Sequence, residues 1–312
     1  MFPLIPAAAV NRGLLRVIVM VEMTDFRIVT AIYSCQEKSI HRMSWIAIVL
    51  FTTICACASP ARRAQSLAAA GGMTPVVIQG SVFQHRSFAR LDPDSHELLV
   101  VFVEGDGSPW VRGGRKIARD PTPHTPLALQ LAAATPGSVL YVGRPCYFQP
   151  VVPTECSADL WTSKRYSTEV VRSMTAAVRA FAAKQHYSRL MLVGYSGGGT
   201  LVTLMAPDLP NLVGLVSVAG NLDPDSWAAL HHYLPLEGLN PALRPALKPG
   251  LPQWYLVGER DANVPSGVTA RYLRRISPDR IWSYSRFDHR CCWVEAWPGL
   301  YARLTAARTA GE

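Results

Sequence analysis

The chain of 312 residues lacks the marks of several broad classes. The uncharged apolar run Trp45–Ile54 is ten residues long, about half of the roughly 20 that a membrane-spanning helix needs. No C-x2-C pair is present, and the adjacent Cys291 and Cys292 are poorly spaced to chelate one tetrahedral ion, so no metal is expected. The 31 Lys and Arg are scattered despite a net charge of +9. The densest clusters are Arg112-Gly-Gly-Arg115-Lys116 and Arg271 with Arg274 and Arg275. No basic stripe carries interleaved aromatics, which argues against a nucleic-acid partner and leaves a mildly basic surface. The glycine-rich turn Gly197-Gly-Gly-Thr200 has no lysine, so it does not read as a phosphate loop, and no cofactor is expected. Internal repeats are also missing. With 49% apolar and 17% charged residues, the chain has enough apolar material for one sizeable core.

The N-terminal segment differs from the rest. Residues 1–42 read as a doubtful extension and 43–58 as an export signal: an apolar core, then the small-residue site Cys55-Ala-Cys-Ala58. Two cleavage schemes fit. Ile54-Cys55-Ala56 before Cys57 resembles a lipoprotein box, which would lipidate Cys57 and attach the protein to a membrane. Ala56-Cys57-Ala58 also suits ordinary signal cleavage. Either way the expected location is the periplasm or a membrane anchor. Residues 59–74 read as a linker, with a flexible Ala/Gly stretch over 66–72, and 75–312 as one domain.

Outside the leader the cysteines number four, an even count that suits an oxidising compartment. Cys146 and Cys156 lie ten residues apart around a proline-rich loop and are expected to pair. Such a closure contributes about 3 kcal/mol on the chain-entropy model. Cys291 and Cys292 are then either a vicinal disulfide or free thiols, and cross-pairing of Cys146 with either one stays open.

From residue 76 onward short apolar runs alternate with helical segments. Runs at 76–78, 81–88, 97–104, 138–143, 190–194, 212–219, 253–258 and 280–287 read as strands. Segments 126–134, 168–185, 199–205 and 267–276 read as helices. The alternation predicts an α/β fold: a mostly parallel sheet with helices on both faces. Residues 223–252 read as a small insertion before the penultimate strand, either a lid over a pocket or a long connection.

Gly194-Tyr195-Ser196-Gly197-Gly198 follows a strand and opens a helix, the context a G-x-S-x-G nucleophile turn requires. A serine hydroxyl needs a base to take its proton and a carboxylate to orient that base. In chain order Ser–acid–His, Asp261 follows the strand 253–258 and His289 follows the last strand. Asp223 competes as the acid but also reads as a helix N-cap before Trp227. Glu259 and Asp288 are weaker rivals, and His231 and His232 suit lid or substrate contacts. The oxyanion donors are expected at the N–H groups of Gly197 and Asp106. A side chain of Asp106 facing the pocket would repel acidic substrates.

On these residues the chain resembles the α/β-hydrolase superfamily from about residue 76 to its end. It is also similar to a group of bacterial exported hydrolases at Val103-Glu-Gly-Asp-Gly107, Arg144-Pro-Cys146, Asn221-Leu-Asp223 and Asp288-His-Arg-Cys-Cys-Trp293. Glu104 departs from the usual histidine of the oxyanion loop. The resemblance implies cofactor-free cleavage of a small acyl substrate through an acyl-enzyme, an ester first and an amide or peptide bond second. A catalytically silent binding module is the alternative of another class.

Overall fold

The computed structural model describes residues 59–149, 153 and 156–309. The extension, the signal segment and Cys57 lie outside the described residues. An eight-stranded sheet forms the centre, in the order β1 (Thr74–Gln79), β2 (Gln84–Arg90), β6 (Val139–Val142), β3 (Leu98–Val103), β7 (Arg189–Tyr195), β8 (Leu212–Val218), β9 (Gln253–Gly258), β10 (Ile281–Tyr284). Strand β2 runs antiparallel to both of its neighbours, and every other pairing is parallel. Strands β3, β6 and β7 are almost wholly buried. Covered on both faces, they need continuous rather than alternating apolar sequence, which is why they read as unbroken runs.

The flanking helices follow from local sequence. In the helix Thr168–Lys184, Ser167 caps the start by accepting the Val170 N–H at 3.3 Å. Val170, Val171, Met174, Ala177, Val178 and Phe181 form its buried stripe. The last helix, Trp293–Thr309, was not expected. Its Trp297 packs edge-on against Phe102 of β3 and donates its indole N–H to Thr135 Oγ1 at 2.8 Å.

Two further differences have clear causes. Part of the expected linker is a helix, Pro60–Ala70, capped by Ser59 with Pro60 at its start. Ala64 and Ala68 are buried, and Gly71 sits so close to Ala133 that a Cβ there would lie 2.5 Å from the alanine methyl. The alanines act as helix formers with a packing face rather than as a flexible tether. The second difference is a hairpin, β4 (Trp110–Val111) with β5 (Lys116–Ile117), in a stretch with no strand-length apolar run. The insertion 223–252 holds a helix, Pro224–Leu230, and a 3₁₀ turn, Pro241–Leu243.

Candidate active site

Ser196 lies where β7 ends, at the C-terminal edge of the sheet, where open α/β sheets bind ligands. Its backbone is in the left-handed region, φ 53° and ψ −121°, a strained conformation that a non-glycine residue adopts only when its surroundings impose it. Here they do. The Ser196 N–H donates to Val218 O at 2.9 Å, and its carbonyl accepts from Gly199 and Asn221 at 2.9 and 3.0 Å. The flanking glycines give the turn its room: a Cβ on Gly194 would lie 2.3 Å from Gly198 O, and one on Gly198 2.1 Å from Val103 O.

The three residues expected to act together meet. His289 Nε2 lies 3.0 Å from Ser196 Oγ, and its Nδ1 lies 2.7 Å from Asp261 Oδ2. Asp261 is buried, and its other oxygen accepts the N–H groups of Asn263 and Val264 at 2.9 and 2.7 Å. That arrangement turns one oxygen toward the histidine and makes Nδ1 the protonated nitrogen, leaving Nε2 to accept from the serine. Asp223 is placed elsewhere. It caps the helix Pro224–Leu230 through Ser226 and accepts from Asn240 Nδ2 at 2.7 Å. Glu259 is exposed. Asp288 closes its own turn by accepting the N–H groups of Arg290 and Cys291, whose bonds hold its carboxyl below the usual range.

Sequence reading missed two residues, Asn263 and Tyr195, and gave His231 a contact other than the one it makes. Asn263 places its side-chain nitrogen 3.0 Å from His289 Nε2, a second donor on the lone pair that faces Ser196. Tyr195 donates its hydroxyl to the His289 carbonyl at 3.0 Å and packs its ring 5.3 Å from the imidazole. His231 holds the Asn263 carbonyl from the insertion at 2.8 Å. Tyr195 and Asn263 adjoin the nucleophile and the acid in sequence, yet only the meeting of separate loops gives them partners.

The loop in which an oxyanion donor was expected is more elaborate than the sequence suggested. Gly197 opens its helix, so its N–H has no intrahelical acceptor. Gly105 spends its N–H on Glu104 Oε1 at 3.1 Å, whereas that of Asp106 has no acceptor among the described residues. The Asp106 carbonyl accepts the Tyr147 hydroxyl at 2.8 Å. The expectation that Asp106 would repel acidic substrates needs correction. Its carboxylate accepts from Arg144 at 2.6 Å, Arg165 at 2.9 Å and the Tyr166 hydroxyl at 2.7 and 2.8 Å. Burial alone would raise its pKa, but the two guanidiniums outweigh that and hold it at about 2. Two cations against one anion leave the cluster with a net positive charge. Glu104 is buried, which pushes its carboxyl up to about 7, and it ties the loop to the next helix by accepting the Ala128 N–H at 3.0 Å.

Beside this loop Cys146 is bonded to Cys156, as expected, and Cys291 is bonded to Cys292. A cleft of about 1240 Å³ opens over Ser196 and His289. Trp110, Leu127, Trp227, Tyr233, Leu236 and Val264 contribute apolar lining, several of them from the insertion.

No family profile and no curated protein matches the chain. Solved structures do. A protein of Agrobacterium tumefaciens described as a candidate α/β hydrolase aligns at 13% identity over 77% of this chain and 98% of its own, with a TM-score of 0.51. A bacterial membrane phospholipase A, described as a virulence factor, aligns at 15% identity over 86% and 99%, with a TM-score of 0.50. An esterase of Pyrococcus furiosus aligns at 12% identity over 76% and 89%, also at 0.50. These likenesses, together with the sheet order and the placement of Ser196, identify the architecture as the α/β-hydrolase fold.

Proposed function

We propose that the chain is a serine hydrolase that cleaves an acyl ester through an acyl-enzyme. The observation that carries this reading is the unbroken line from Ser196 Oγ through His289 to Asp261, with contacts of 3.0 and 2.7 Å. Ser196 Oγ attacks the acyl carbon while its proton passes to His289 Nε2, and Asp261 stabilises the imidazolium. The N–H groups of Gly197 and Asp106 receive the oxyanion. The ester C–O bond then breaks, and the alcohol leaves with the proton from His289. Water, deprotonated by the same nitrogen, releases the acid and restores Ser196. The apolar lining of the cleft favours an acyl chain and hence an ester over a peptide. Export, with signal cleavage near residue 58 or lipidation of Cys57, belongs to the same proposal. The Cys146–Cys156 bond supports it, and the mass of the mature N-terminal peptide tests it.

The test of the chemistry is labelling by a fluorophosphonate, followed by a panel of p-nitrophenyl esters. Ser196 should be the labelled residue. Ser196→Ala should lose label and lower kcat by about 10⁴- to 10⁶-fold while its melting temperature stays near that of the parent. Label on another serine, or full activity in Ser196→Ala, would overturn the mechanism. Labelling without turnover of any ester would favour an amide substrate, and no labelling at all a silent binding module.

A further inference from the structure

The hairpin 110–117 stands out from the body of the molecule. Both strands and the turn between them are exposed. Trp110 faces across to Ile117, and Val111 pairs with Lys116. A two-stranded ribbon with solvent on both faces is marginal by itself, and three large apolar residues on it gain nothing from water. Ties to the body lie at its base, where the Ala118 N–H donates to Pro109 O and the Ala118 carbonyl accepts the Trp161 indole. Four cations share the ribbon and its base, Arg112, Arg115, Lys116 and Arg119, with no carboxylate between Trp110 and Arg119. Across the same cleft mouth the insertion presents Tyr233 and Leu234, 57% and 87% exposed, against 45% for Trp110. Two apolar lips thus flank the entrance to Ser196, and one of them is strongly basic. Apolar side chains beside a basic turn match an anionic bilayer surface, where aromatic rings sit at headgroup level and Lys and Arg meet lipid phosphates.

We propose that the hairpin, with Tyr233 and Leu234, docks the cleft mouth onto an anionic phospholipid surface, so that Ser196 draws its acyl ester from that surface. Among the described residues no helix is long and apolar enough to cross a membrane, and the docking is peripheral. The second half of the proposal rests on the hydrolase reading; the first does not.

Docking is therefore measured on the full chain carrying Ser196→Ala, which has no chemistry, and Cys57→Ser, which leaves that cysteine no lipid to carry. Co-sedimentation with vesicles of equal phosphatidylglycerol and phosphatidylcholine should far exceed that with phosphatidylcholine alone, and should fall in 0.5 M salt. Each cation at such a surface contributes about fivefold to binding. Replacing all four (Arg112→Gln, Arg115→Gln, Lys116→Gln, Arg119→Gln) should lower binding by on the order of a hundredfold or more. In the chain with Ser196 intact, the same four changes should leave turnover of a soluble short-chain ester unaltered. Trp110→Phe should remove a blue shift in indole emission that the parent shows on vesicles. Equal binding of parent and four-cation variant, indifference to phosphatidylglycerol, or an unchanged emission shift would overturn the proposal. So would a dimer in sedimentation that Trp110→Ser dissolves while vesicles are ignored, since the lips would then pair two copies of the chain. Loss of ester turnover in the parent with vesicle binding intact would count against the hydrolase reading and leave the docking standing.

Discussion

The acid that serves His289 is decided by a few ångströms and by local bonding. Asp261 and Asp223 both follow strands of the same sheet edge, and both are buried. What separates them is how their oxygens are used. Asp223 spends both on Ser226 and Asn240, as the cap of a helix, whereas Asp261 keeps one free of backbone donors and turns it to His289 Nδ1. Asp261→Asn should therefore lower kcat by about 10⁴, because the amide no longer fixes the imidazole tautomer. Asp223→Asn keeps a capping oxygen but opposes an amide to Asn240. It should cost about 1–2 kcal/mol of stability and leave kcat within a few-fold. Steady-state rates paired with urea melts on the two variants check this. The reverse pattern would assign the acid to the other strand.

At the scale of elements, the segment from Arg144 to Cys156 braces the loop around Asp106, the proposed oxyanion donor. Arg144 takes the Asp106 carboxylate, Tyr147 takes its carbonyl, and the Cys146–Cys156 bond closes the loop that follows. Replacing both cysteines by serine should lower stability by about 3 kcal/mol through the loop-closure term. It should also lower kcat several-fold as Tyr147 loosens, with KM for a soluble ester little changed. Thermal melts and ester kinetics on the double variant read both effects, and an unchanged kcat would remove the brace from the mechanism. This segment also marks how much was legible in the sequence. The buried strands and the nucleophile turn were readable because unbroken apolar runs and closely spaced glycines arise in few local structures. The meeting of Ser196, Asp261 and His289 was readable because each follows a strand that ends at the same edge of the sheet. The brace was not readable: Arg144, Tyr147, Arg165 and Tyr166 meet Asp106 from 38 to 60 residues away, and no local pattern encodes that meeting. The helix Pro60–Ala70 was misread because alanine serves flexible and helical segments alike, and its partner Ala133 lies some 65 residues on. Asn263 and Tyr195 carried no signal of their own beyond sitting next to residues that did.

For the molecule as a whole, two buried groups pull stability in mild acid in opposite directions. His85 on β2 is fully buried. Its Nδ1 lies 2.9 Å from the Gly143 carbonyl and its Nε2 2.9 Å from Ser173 Oγ, which also accepts the Phe83 N–H. The Gly143 carbonyl can only accept, so the proton sits on Nδ1 and the neutral ring is fully satisfied. Burial lowers the His85 pKa from 6.5 to about 4. Between those values the unfolded chain holds the proton and the folded one does not, so the contribution of His85 to stability falls as the pH drops from 6.5 to about 4. The loss from this residue is about 3 kcal/mol. Glu104 works the other way, its raised pKa adding stability as the pH drops from about 7 to 4.5, so the two nearly cancel in the parent. Urea melts of His85→Gln should show stability rising as the pH drops across that range, and a profile as flat as the parent's would overturn the assignment. A different consequence follows from the order in which the chain is made. Ser196 is in place long before its base. His289 lies just ahead of the final helix, whose Trp293 donates to the Asp288 carbonyl and whose Trp297 packs on β3. A chain interrupted by a stalled ribosome or a premature stop before residue 289 carries a nucleophile with nothing to take its proton. On the proposed mechanism such copies are inert, and hydrolysis waits until residue 289 has been made and folded into place.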